Sequence, residues 1–162
     1  MSDNAPSPPM PPHRAAKGGG WDQVEQRPYK EDARALFKDV SRQILFSDPK
    51  LAAELRYFEI KPGGFSTLER HDHMHAVMVL RGHGECLVGR AVHKIAPHDL
   101  VTVRPWTWHQ FRAGADEPLG FLCMVNSTRD KPQLSTEKDL AELSGDDAVV
   151  GRFLSGKAGA GR

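Results

Sequence analysis

From residue 51 onward the chain alternates apolar and polar positions in short runs rich in Val, Leu, Phe and Thr, broken by Gly and Pro. This period-2 pattern predicts strands over 53–61, 65–71, 75–81, 84–89, 91–95, 99–104, 109–113 and 118–126. The gaps between them are PGG at 62–64, RGHG at 81–84, APHD at 96–99, RPWTW at 104–108 and AGADEP at 113–118. Each is short enough for a hairpin or tight turn. So many short strands in one stretch specify an all-β sandwich or barrel.

The flanks read differently. Residues 1–20 carry Pro6, Pro8, Pro9, Pro11 and Pro12, then Gly18, Gly19 and Gly20, with little to bury, and are expected to be a disordered tail. Within 21–50, EDARALFKDV fits a short helix and SRQILFS a strand. Past Asn126 the chain turns polar. STEKDLAEL offers a serine or threonine cap and a helical run, DDAVVGRFL one more turn, and GKAGAGR a frayed end. The expected organisation is a tail at 1–20, an extension at 21–50 packing on the barrel, a barrel at 51–127 and a partly helical extension at 128–162.

The 162 residues suffice for one domain, and a formal net charge of +1 without any Lys/Arg block argues against nucleic acid as a partner. No apolar run approaches the ~18 residues needed to span a bilayer. The N-terminus lacks the basic start and apolar core of a secretory signal, so no membrane partner and a cytoplasmic location are expected. Cys86 and Cys123 both sit in strand-like apolar segments and read as core residues, not as a disulfide.

One stretch departs from ordinary strand chemistry. TLERHDHMHAVMVLRGHG places Glu69, His71, His73 and His75 at alternate positions. On one strand, Glu69 and His71 project from the same face and can bind one metal ion. A third ligand from a neighbouring strand start and a fourth from a distant strand complete such a site. Without a metal or a hydrogen-bond network, burying so many polar groups is costly.

These residues resemble the first motif of the cupins, small jelly-roll barrels. That motif runs Gly, five residues, His-x-His, three or four residues, Glu, six residues, Gly. Its glycines fall on Gly63 and Gly82, its histidine positions on Glu69 and His71, and its glutamate position on His75. The spacing is kept while glutamate and histidine exchange places, which preserves a set of three histidines and one carboxylate. The second motif places its positions on His98, Arg104, Trp106, His109 and Ala113, and only its metal-ligating histidine, His109, is kept.

The resemblance covers about residues 52–127 and implies an all-β, double-stranded β-helix (jelly roll) cupin barrel. It implies one divalent transition metal on Glu69, His71, His75 and His109, iron or manganese first, then nickel, zinc or copper. His73 falls in a turn of that register and is expected to be exposed. A rival register pairs His71 with His73 and leaves Glu69 to orient an imidazole. Around the site, Val77, Val79 and Phe111 share the ligands' strand parity and are expected to line the interior. Trp106 and Trp108 either wall the pocket or pack the barrel end. Arg81, Arg104 and Arg112 can anchor a carboxylate, though each reads more simply as a solvated side chain. His83, His93 and His98 read as surface residues, and Cys86 as a nucleophile only if exposed beside a base.

The function expected is that of a metal-dependent enzyme acting on a small organic molecule, with dioxygenase chemistry favoured slightly over isomerase or lyase chemistry. Glu69 would serve as ligand and proton acceptor. A metal-containing binding or sensing protein without turnover is the alternative, and a barrel kept for oligomerisation a third. A homodimer is expected, since pairing covers an edge strand.

Overall fold

The computed structural model describes residues 10–30 and 36–156, so the expected tail lies outside the described residues over 1–9, and the expected frayed end from 157 on. Eleven strands run in the order β1 (Gln26–Pro28), β2 (Lys38–Ser47), β3 (Ala53–Phe65), β4 (Glu69–Arg70), β5 (His75–Arg81), β6 (Gly84–Val88), β7 (Ala91–Ile95), β8 (Leu100–Val103), β9 (His109–Ala113), β10 (Leu119–Asn126) and β11 (Gln133–Leu134). Two short helices follow, α1 (Glu137–Ser144) and α2 (Ala148–Leu154). Among the described residues no helix is long and apolar enough to cross a membrane.

All pairings are antiparallel. One run of neighbours is β1-β2-β3-β10-β5-β8 and another is β11-β4-β9-β6-β7. They join where Phe65, the last residue of β3, pairs with Arg112 of β9. The sheet thereby curls on itself into the jelly roll. The PGG segment is the cause, and it is not the turn expected from its composition. Residues 62–64 continue β3, Gly63 takes φ 69°, and the β2 register slips opposite them between Lys38 and Val40. A bulge of this kind bends a strand without ending it, so β3 can serve both runs. The bend also shortens the expected 65–71 strand to Glu69–Arg70.

Strand alternation sorts the interior. On β10, Leu119, Phe121, Cys123 and Val125 point inward, and they meet Phe58 and Ile60 of β3, Val77 and Val79 of β5, Cys86 of β6 and Phe111 of β9. The opposite face of β6 and β9 is closed by the helices: Leu143, Val150 and Phe153 pack on Leu68, Leu87 and Trp108. Thr136 caps α1 in a capping box with Asp139, as the cap residues predict. Of the helix expected over 31–40, residues 31–35 lie outside the described residues, while Lys38–Val40 are strand, zipped to β3. Part of the expected tail is seated on the barrel: Ala15 bridges Trp21, whose ring meets Tyr57 edge-on at 5.0 Å.

Gly82, in the tight turn after β5, has φ 73°, and a Cβ there would lie 1.9 Å from the Pro118 carbonyl oxygen. The obstacle is backbone and cannot swing away. Gly82→Ala is therefore expected to cost about 1–3 kcal/mol, a fall of roughly 3–10 °C in Tm by thermal unfolding. An unchanged Tm would show that the turn is free to rebuild.

Candidate metal centre

Three imidazoles converge inside the curl. His71 follows β4, His75 opens β5 and His109 opens β9. His71 is 1% exposed and His109 5%. Their ring centroids lie 4.7 Å apart for His71 and His75, 4.9 Å for His71 and His109, and 5.4 Å for His75 and His109. One ligand atom from each falls within 4.8 Å of the others.

Hydrogen bonds fix which nitrogens face inward. His71 Nδ1 donates to the His73 carbonyl oxygen at 2.8 Å, and His109 Nδ1 to the Thr107 carbonyl oxygen at 3.0 Å. A carbonyl only accepts, so both rings carry their proton on Nδ1 and present a bare Nε2. The His75 Nε2 approaches the His71 Nε2 at 2.9 Å. Burial, with the neighbouring His109 and His73, pushes the His71 pKa down to about 4, and burial likewise lowers those of His75 and His109. Neutral rings with converging lone pairs are the state a divalent cation binds. The donor set fits a metal.

Glu69 pairs across the strands with His109 and is buried. Of the expected four-residue ligand set, however, the structure gathers only His71, His75 and His109 within 4.8 Å, with the Glu69 carboxylate outside that group. Its Oε2 takes a 2.5 Å hydrogen bond from Thr67 Oγ1 and an ion pair from Lys30. Burial alone would raise its pKa, but the Lys30 charge and these hydrogen bonds outweigh it and hold the carboxyl below its usual range. Because Thr67 gives its one hydroxyl proton to Glu69, the Tyr29 hydroxyl, 3.0 Å from Thr67 Oγ1, must donate to Thr67. Tyr29 and Lys30, from the segment before the barrel, thus hold the carboxylate in place. Nothing in their own sequence context marked them.

The triad opens on a cavity of about 490 Å³, whose wall includes Glu69, His75, His109, Val77 and Phe111. His73 also lines it, and the expectation that this residue is exposed does not hold. Its side chain is 7% exposed, stacked 3.6 Å from the His71 ring, with Nδ1 2.6 Å from Asp130 Oδ1. Asp130 in turn accepts the backbone N–H of Asp72 and His73, clamping the loop that carries His71. His71, His73 and Asp130 also place three ligand atoms within 4.8 Å, which brings the His71–His73 pair of the rival register together with a carboxylate it did not include, but Asp130 is spent on this clamp.

Trp106 and Trp108 are absent from the cavity wall. Trp106 sits in the turn with φ 57° and is 56% exposed. Trp108 has the opposite parity to His109, so the strand that turns His109 inward turns Trp108 toward α1 and α2, under the Arg70 guanidinium. Arg81, Arg104 and Arg112 do not line the cavity either: Arg81 pairs with Glu59 at 2.7 Å, Arg104 is exposed, and Arg112 stacks on Phe65 and Phe153. His83, His93 and His98 are exposed, and Cys86 is a core residue.

Two features of the wall were not anticipated. Cys123, read as simple core, places Sγ 3.0 Å from His75 Nδ1 and 3.6 Å from Arg56 Nη2. Burial raises its pKa more than Arg56 lowers it, so the group rests as a thiol. Beyond it stand Arg42, Arg56 and Arg129. The inward parity of positions 42, 56 and 123 was available in the sequence, but nothing there said that they share a wall with the histidines.

Comparison with known proteins agrees with this architecture. Residues 56–125 match the family described as Cupin domain. The chain is 57% identical over 159 residues to the 1-methylthio-D-xylulose 5-phosphate methylsulfurylase of Rhodospirillum rubrum (strain ATCC 11170), spanning 98% of this chain and 100% of that one. Among solved structures it resembles a cupin 2 conserved barrel domain protein from Rhodopseudomonas palustris, with 55% identity, a TM-score of 0.81 and coverage of 88% of this chain and 98% of that one. A cupin-2 domain structure from Rhodospirillum rubrum matches with 55% identity and a TM-score of 0.78, over 96% of this chain and 100% of the other. Motif spacing, curled sheet and relatives converge: this chain belongs to the cupin family.

Proposed function

We propose that this protein is a metal-dependent enzyme that removes the methylsulfanyl group from a 1-methylthio-ketose 5-phosphate and passes it to a thiol. The observation that carries the reading is the Cys123 sulfur, 3.0 Å from His75 Nδ1 in the cavity that the histidines enter. The 57% identical methylsulfurylase supplies the substrate class.

A divalent cation would be held by His71, His75 and His109, with Glu69 as the carboxylate, and would supply Lewis acidity for the ketone oxygen. The chain's own groups do the rest. In such a substrate the C1–S bond lies next to the C2 ketone. Cys123 Sγ bonds to the methylthio sulfur, C1–S breaks, and C1 keeps the electron pair, which the adjacent ketone delocalises. The proton lost by the Cys123 thiol is the one C1 gains to become a methyl group, and the His75 Nδ1–H steadies the sulfur by a hydrogen bond while that proton is in transit. C1 is reduced, and the two sulfurs are joined as the mixed disulfide Cys123–S–S–CH3. A second, soluble thiol then attacks that disulfide, restoring the Cys123 thiol and leaving as a methyl disulfide. Phe58, Phe111 and Phe121 keep water from the reacting sulfur. Glu69 is pinned by Lys30 and Thr67, which suits an orienting carboxylate and ligand better than the mobile base expected from sequence alone.

The experiment supplies 1-methylthio-D-xylulose 5-phosphate and a low-molecular-weight thiol to protein loaded in turn with iron, manganese, nickel and zinc. NMR is expected to report a new methyl ketone equal in amount to the methyl disulfide formed. Substrate consumed only with matching oxygen uptake would return the assignment to a dioxygenase. No consumption with any metal would sink the enzyme reading.

A further inference from the structure

The far wall of the cavity carries more positive charge than its surroundings neutralise. Arg42 on β2, Arg56 on β3 and Arg129 after β10 all face the cavity. Cross-strand register places Cys123 directly opposite Arg56 and Arg42 opposite Phe58, one same-face step along from Arg56. One carboxylate, Glu54, serves two of them, with Oε1 3.4 Å from Arg129 and 3.7 Å from Arg56. Neither contact is a hydrogen bond, and among the described residues the buried Glu54 Oε1 has no hydrogen-bond partner. The Nε atoms of Arg42 and Arg56 are buried and unpartnered in the same sense. Arg56 is only 7% exposed. The other acid on this side, Asp130, is committed to the His73 ring and to the backbone N–H groups of Asp72 and His73.

Three guanidinium groups around one carboxylate, with donor N–H groups left over, form a preorganised cradle for a doubly charged oxyanion. We propose that Arg42, Arg56 and Arg129 bind the phosphate group of the substrate, at the wall across Cys123 from the histidines. The assignment of that phosphate to a ketose ester rests on the function proposed above; the oxyanion site stands on the arginines alone. The cradle fits a dianion better than a carboxylate, because three positive charges face one negative one. Burial, and then repulsion from Arg56 and Arg129, hold the Arg42 guanidinium below its usual pKa range, a cost that a bound dianion relieves. Arg56 links the two halves of the cavity: one edge touches the Cys123 sulfur, and Arg42 and Arg129 lie beyond it. A ketose 5-phosphate anchored there directs its C1 end toward Cys123 and the histidines.

Calorimetric titration of the metal-loaded protein with D-xylulose 5-phosphate, inorganic phosphate and unphosphorylated D-xylulose tests this. D-xylulose 5-phosphate is expected to bind, and Arg42→Gln and Arg129→Gln each to weaken it about 10-fold or more, while weak binding of D-xylulose is unchanged. Binding of inorganic phosphate alone, lost in the same variants, would mark the ligand as the free ion and not an ester, and would overturn the ester assignment. His109→Ala is expected to leave affinity for inorganic phosphate unaltered. Loss of phosphate binding in His109→Ala, with Arg42→Gln and Arg129→Gln unaffected, would put the anion on the metal and overturn the proposal. Arg56→Gln is read only if its Tm and metal content match the parent. Ester binding that depends on the arginines, without methylsulfanyl turnover, would refute the proposed reaction and leave the oxyanion site standing.

Discussion

His109→Ala is expected to empty the metal centre and, with it, to abolish turnover. The imidazole is buried, its proton is fixed on Nδ1 by the Thr107 carbonyl, and its Nε2 has been prepared for one partner. Loss of an outer partner of a metal ligand typically weakens binding by about 10–100-fold; loss of the ligand itself should exceed that. The consequence extends to stability. A metal present at about 100 times its dissociation constant stabilises the folded chain by about 2.7 kcal/mol, equivalent to roughly 5–10 °C in Tm for a chain of this size. A chelator should therefore lower the Tm of the parent by that amount and leave His109→Ala unmoved. His83→Ala, in the exposed turn after β5, serves as the control that keeps its metal. Elemental analysis beside calorimetry reads both effects. Full metal occupancy in His109→Ala, or a parent Tm indifferent to metal and chelator alike, would refute the site.

The barrel was legible in the sequence where side chains alternate against one common interior. From His75 to Asn126 every expected strand is present, with ends displaced by no more than one residue. The pattern failed where backbone geometry outweighed composition. Pro62-Gly63-Gly64 reads as a turn, yet the bulge opposite β2 carries β3 straight through it. His71, His75 and His109 could be named because imidazoles at motif spacing are conspicuous in an apolar barrel. Lys30 could not, since its bond to Glu69 spans 39 residues. Cys123 and Arg56 show the same limit: alternation says which way a side chain points, not what waits across the cavity. Trp108 was decidable in principle, because a strand that turns His109 inward must turn its neighbour out.

Cys123→Ser tests the remaining step, and its effect on rate should be the largest of all. Serine keeps the size of the side chain, and a hydroxyl can still hydrogen-bond to His75 Nδ1, so the metal and the strand should remain as they are. What it lacks is a polarisable sulfur able to bond to the sulfur of the substrate. The methylsulfanyl group would then have no acceptor within the cavity, and turnover should fall at least ~1,000-fold, as expected when a nucleophile is deleted. Withholding the soluble thiol should trap the parent with one methylsulfanyl group in place of the Cys123 hydrogen, visible by intact-protein and peptide mass spectrometry, and Cys123→Ser should gain no such mass. Cys86 calibrates the comparison. It is fully buried in the apolar cluster, away from the cavity wall, so Cys86→Ser buries an unpaired hydroxyl and should lose about 1–3 kcal/mol of stability while turning over normally. Should Cys123→Ser keep turnover within a few-fold of the parent, the methylsulfanyl group must pass directly to the soluble thiol. Cys123 would then be wall, and the second thiol would have to enter the cavity beside the substrate, which the approximately 490 Å³ available must accommodate.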